Sequence, residues 1–151
     1  MWTFRTSKGG DPAANIIRLR ASVEPTREDK LYAGERQKAR ILGRTSMGVD
    51  VDGNAFAPYS KKYAAKKRAL GRPGVVDLRG RNAPHLLQSI VAKARSDDLV
   101  LGVYGDKARI GQIHNEGAGR LPKRRWFAAS RSDLSAMIRD VGARIKARLK
   151  T

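Results

Sequence analysis

His85 and His114 are the two side chains of this 151-residue chain whose ordinary titration falls near neutrality. His114 sits in Ile113-His114-Asn115-Glu116-Gly117, where an imidazole and a carboxylate two positions apart could form an acid–base pair. Side chains that close in sequence rarely point the same way, and no third group stands nearby to orient the ring. Neither histidine belongs to a His-Glu-x-x-His spacing or to a carboxylate cluster that could complete a zinc site. Asp50, Asp52 and Asn54 loosely imitate a calcium loop, but the glycine and the closing glutamate fall at the wrong offsets. The glycines between positions 102 and 111 follow neither dinucleotide-loop nor phosphate-loop spacing. The chain has no cysteine, which removes thiolate nucleophiles, disulfides and Cys-based metal sites. We therefore expect no catalytic, metal or cofactor site, and a protein that is not an enzyme.

Charge is the dominant compositional feature. Thirty-two Lys and Arg stand against fourteen Asp and Glu, a formal net charge of +18. Self-repulsion of that size favours a polyanionic neighbour or a charge-matched assembly. Lys61, Lys62, Lys66, Lys67, Arg68 and Arg72 form a dense basic run, and Tyr59 and Tyr63 are interleaved with it. Such a run could touch DNA phosphates without reading sequence. Its aromatics could stack on bases, or could pack inward beneath a solvated helix face, which we favour. No stretch approaches the ~20 apolar residues of a membrane helix, and residues 1–8 lack the apolar core of a secretory signal.

Length and an apolar fraction of 40% suit one globular domain, expected over residues 15–151. Residues 1–14, with Gly9, Gly10 and Pro12, read as a flexible arm on which Trp2 and Phe4 could anchor a partner. Ile17, Leu19, Ala21 and Val23 alternate with polar residues, predicting a half-buried strand. Residues 26–46 are rich in helix formers, with Pro25 at the entry and Gly48 as a stop. Leu31, Lys38, Ile41, Leu42 and Thr45 lie near one face of that helix, a weak stripe. Ser60 is placed to cap a short basic helix over 61–70, and one or two helical turns follow Pro84. Residues 89–95 and 99–104, split by Asp97-Asp98, predict a hairpin. Ile110 and Ile113 hint at a short helix, and Pro122 predicts an extended segment over 121–127. The last element is the clearest. Ser130 and Asp133 resemble a capping box, and Leu134, Ile138, Val141, Ile145 and Leu149 recur at helical spacing. The sum is an α+β fold, a small antiparallel sheet packed against two long helices with long loops between.

Three segments, in this order, resemble the phage virion morphogenesis (tail completion) family and the wider neck-protein group of tailed phages. The first is Asp52-Gly53-Asn54-Ala55-Phe56-Ala57-Pro58-Tyr59-Ser60 before a basic helix. The second runs from Leu78-Arg79-Gly80 through Leu86 and Leu87 to Ser89-Ile90. The third pairs Ile113-His114-Asn115-Glu116-Gly117 with Leu121-Pro122-Lys123-Arg124-Arg125-Trp126-Phe127. The similarity covers residues 48–130. It departs at Arg79, where the family has Thr, at the inserted-looking Asn82-Ala83-Pro84-His85, and at one extra residue after Pro122.

The resemblance implies a structural virion protein, assembled in the host cytoplasm. It implies a homo-oligomeric ring, hexamer or dodecamer, at the head–tail junction or the top of the tail. Its partners would be neighbouring connector and tail-tube proteins and, through phosphate contact, the packaged DNA, with no membrane. Trp2, Phe4, Tyr59, Tyr63, His114, Glu116 and Trp126 are then candidate interface residues, although Trp126 and Phe127 fit a core position better. The alternative is a basic nucleic-acid-binding module without sequence preference.

Overall fold

The computed structural model describes residues 23–71, 76–78, 86–95 and 98–150. Trp2, Phe4, Arg72, His85, Asp97 and the strand expected before Val23 lie outside those residues. The α+β class is observed: among the described residues four helices accompany one antiparallel hairpin.

Helix α1 spans Arg27–Ser46. Its first turn closes as a capping box: the Thr26 hydroxyl accepts from the Asp29 amide at 3.2 Å, and the Asp29 carboxylate accepts from the Thr26 amide at 3.0 Å. Gly48, at φ 77°, turns the chain away beyond the C-cap. The buried face carries Asp29, Ala33, Gly34, Gln37, Ile41 and Thr45. It is rotated from the stripe expected at Leu31 and Lys38, because two kinds of neighbour compete for this helix: the sheet wants small and apolar residues, and a second helix wants charge.

Strands β1 (Ile90–Ala94) and β2 (Leu99–Val103) form the expected hairpin, with a register that runs from Ile90–Val103 to Ala94–Leu99. A lone two-stranded hairpin is marginal in water, so it needs a cover. Helix α1 supplies it, approaching so closely that a Cβ on Gly34 would meet Ala92 Cβ and Leu99 Cδ1 at 2.8 Å. A single 3-10 turn over Leu86–Ser89 leads into β1 and buries Leu86 and Leu87.

Helix α2 (Lys61–Ala69) starts at Ser60, whose hydroxyl accepts from the Tyr63 amide at 3.3 Å. Helix α3 (Lys107–Glu116) packs against the 3-10 turn and β2 and stops at Gly117, φ 77°. A Cβ there would lie 2.6 Å from the Lys123 amide nitrogen, so only glycine lets the chain fold back this tightly. The segment expected to be extended, residues 121–127, joins no sheet. Pro122 lacks a donor, and the bonds are isolated: the Arg124 amide donates to His114 O at 2.8 Å, and Arg125 O accepts from the Val51 amide at 3.0 Å.

Ile41, Phe56, Val76, Leu78, Leu86, Leu87, Ile90 and Trp126 form the core. Trp126 is fully buried and its indole N–H donates to Gly111 O at 3.1 Å, which answers its one polar need. The three segments that carry the family resemblance each contribute to this core: Phe56 from the first, Leu78, Leu86, Leu87 and Ile90 from the second, Trp126 from the third.

Helix α4 (Arg131–Arg148) opens on the capping box expected of Ser130 and Asp133. It packs on α1. Its apolar stripe is only partly covered: Val141 and Ile145 are half-buried, and the other three residues lie outward. Leu134 is 49% exposed, Ile138 73% and Leu149 51%.

Candidate functional site

Arg124 organises the segment around the first and third resembling motifs. It is 2% exposed, and its guanidinium donates to Ala57 O at 3.1 and 2.9 Å and to Pro58 O at 3.4 Å. Its NH1 lies 3.4 Å from His114 Nδ1. Burial first, then the Arg124 charge, hold the His114 pKa below its ordinary value, so the ring is neutral at physiological pH. Glu116 points elsewhere, accepting from Gln112 Nε2 at 3.1 Å on the exposed side of α3. The pair imagined from sequence is therefore not assembled: His114 is a half-buried neighbour of a structural arginine.

Tyr59 and Tyr63 stack edge to face at 4.8 Å, and Tyr59 packs against the core. Lys67 Nζ lies 4.9 Å from the Tyr59 ring centre, and the Arg124 guanidinium lies 5.4 Å from it on this same ring. Burial, then the Asp77 charge and Tyr63, push the Tyr59 phenol up to about 12. The tyrosines thus take the inward role rather than a base-stacking one. Lys67 is corrected outright. Expected among phosphate-facing cations, it is 3% exposed and ion-paired with Asp77 at 2.7 Å. One helical face cannot hold all five cations of the 61–68 run, and Lys67 falls on the side turned to the core. Lys61, Lys62, Lys66 and Arg68 remain exposed and make a solvent-facing basic patch on α2. Trp126, named as an interface candidate, is fully buried and unavailable to a partner.

The α1–α4 contact is built of ion pairs. Arg144 and Arg148 both reach Asp29, Arg144 at 2.7 Å, and Arg148 also donates to Glu24 O at 3.0 Å. Arg40 meets Asp140 at 2.6 Å, with Arg36 at 3.7 Å, and Arg44 meets Asp133 at 2.6 Å. Arg44 also donates to Ala128 O and, at 3.4 Å, to Trp126 O, tying this helix pair to the core. Burial by itself would raise the Asp29 pKa. Bonds from Arg148 and Arg144, with the Thr26 backbone and hydroxyl, overcome it and hold the carboxyl well below the usual range. Arg36, Arg40 and Arg44 recur every four residues and Asp133 and Asp140 seven apart, a charge periodicity that could have marked this interface in the sequence.

Among the described residues no group of three or more His, Cys, Asp or Glu could hold a metal, and no helix is long and apolar enough to cross a membrane. The Asp50 carboxylate instead accepts from the Asp52 and Asn54 amides at 2.9 and 2.8 Å, closing a turn. A shallow groove of about 670 Å³ lies between the start of α1 and the end of α4, lined by Arg27, Glu28, Arg144 and Arg148 among others. Among the described residues, the exposed surfaces include the α2 cations and the outer faces of α1 and α4. No protein-family model, curated protein or solved structure matches this chain.

Proposed function

We propose that this chain is a structural subunit of a tailed-phage virion that works by assembling into a ring at the head–tail junction or the top of the tail. The observation that carries the assembly is the outer stripe of α4, where Leu134, Ile138 and Leu149 are 49%, 73% and 51% exposed. Contiguous apolar surface on a water-soluble element marks a binding surface. The tailed-phage setting rests on the resemblance of residues 48–130. The convergence of those motifs on one core around Trp126 and Arg124 supports reading them as a unit, with architecture rather than catalysis as their task. A net charge of +18 suits a subunit placed beside packaged DNA. Electron microscopy of the purified chain at high concentration tests the proposal. Closed rings with a central opening are expected, and particles no larger than a monomer or dimer would overturn it.

The exposed cations Lys61, Lys62, Lys66 and Arg68 favour a second reading, a sequence-independent nucleic-acid-binding module. Under that reading duplex DNA binds at low salt, affinity falls steeply as salt rises, and scrambled sequences bind equally.

A further inference from the structure

We infer that the outer face of α4 docks on the outer face of α1 in a second copy of this chain, so that α1 and α4 alternate around the assembly. The inference deepens the ring proposal and rests on it. On α4, Arg139, Gly142 and Lys146 lie at i, i+3 and i+7, exposed, and border the apolar stripe of Leu134, Ile138 and Leu149. Gly142 carries no side chain there and the space over it is open: a Cβ at that position would meet nothing within 4 Å. On α1, Glu28, Tyr32 and Glu35 lie at i, i+4 and i+7, and all three are exposed; the Tyr32 ring borders its own chain's α4, 4.9 Å from the Arg144 guanidinium, and leaves 40% of its surface outward.

The two faces match in spacing and in sign. Two anions and two cations are each seven residues apart, about 10 Å along a helix. Between the anions stands a bulky aromatic, and between the cations a position without a side chain. Tyr32 over Gly142, with Glu28 and Glu35 against Arg139 and Lys146, forms a close contact with charged borders. Glu35 already holds Lys38 at 3.5 Å on the surface, a weak pair that leaves its carboxylate 60% exposed.

Other occupants fit less well. Residues 1–22 carry Arg5, Lys8, Arg18 and Arg20 against Asp11 alone, so their charge opposes a stripe bordered by Arg139 and Lys146. Two α4 faces meeting each other would set the same cations together. The acidic face belongs to a different helix, so the contact is head to tail, the kind that closes into a ring.

Two double variants of the full chain test this: Arg139→Glu with Lys146→Glu, and Glu28→Lys with Glu35→Lys. All four positions are exposed, and circular dichroism with thermal melting checks that each variant stays folded. Mass is read by analytical ultracentrifugation. Wild type is expected to form an oligomer, and each variant alone to associate at least tenfold more weakly. An equimolar mixture is expected to restore an oligomer with an even number of subunits, because each reversed face then meets its complement. If both variants keep the wild-type mass, or if mixing restores nothing, the docking contact is overturned while a ring built through another face survives. If α4 reversal changes nothing but deletion of residues 1–22 drives association, the chain's own N-terminal segment covers the stripe and the docking contact is again overturned. A wild type that stays monomeric at the highest attainable concentration sinks the ring proposal together with it.

Discussion

Trp126 and Asp29 are the residues on which most depends locally. Trp126 is wholly buried and shares its contacts among the core, Gly111 and Phe127, whose ring centre is 5.3 Å away. Trp126→Ala should cost about 3–5 kcal/mol in chemical denaturation, through lost burial and an unfilled cavity. Asp29 holds two arginines while 1% exposed, and its folded pKa is depressed. A depressed carboxyl contributes stability above its unfolded pKa, near 4, and loses it as pH falls through the folded value. Denaturant midpoints should therefore fall as pH drops below about 4. Asp29→Asn should be less stable at neutral pH, with a flatter acid limb; an unchanged acid limb would show that Asp29 does not carry the effect. Lys67→Met should lower the denaturant midpoint, because it removes the cation that the Asp77 carboxylate meets at 2.7 Å inside the protein. These roles were hard to read in the sequence. Nothing in Lys66-Lys67-Arg68 says which cation turns inward, since that depends on the rotation of α2 set by tertiary packing. Arg124 stood out in sequence only as part of the third resembling segment.

At the scale of elements, local chemistry was legible where it acts through neighbours in the chain. The Ser130–Asp133 box, the Ser60 cap, the Gly117 stop and the hairpin around Asp98 follow from side chains within a few positions of one another. Ser130→Ala should cost about 1 kcal/mol. Gly117→Ala should cost more than that, because a left-handed φ and a 2.6 Å approach to the Lys123 amide act together. Both are read from denaturant midpoints, and equal losses would mean that the fold-back after α3 is looser than described. Which face each long helix turns inward was not legible. Periodicity located an apolar stripe on α4, yet the helix meets α1 through Asp133, Asp140, Arg144 and Arg148 and leaves Leu134, Ile138 and Leu149 of that stripe exposed. Hydrophobic spacing shows that a face will seek cover. It does not tell whether the cover lies in the same chain. The 121–127 segment joins no sheet for a related reason, since extended backbone becomes a strand only when a ladder partner is in reach.

The whole molecule combines a small core, a helix pair joined by charge, a partly covered apolar stripe and a net charge of +18. Each of the last two disfavours an isolated monomer, and the proposed ring beside DNA would relieve both. The most direct test of that claim is the mass of the intact chain in solution by light scattering, across a wide concentration range, with and without duplex DNA. Assembly predicts one discrete oligomer, or a monomer that converts to it as concentration rises, without any need for DNA. A monomer or dimer whose mass is independent of concentration and changes only on adding DNA would contradict it and favour the nucleic-acid-binding module.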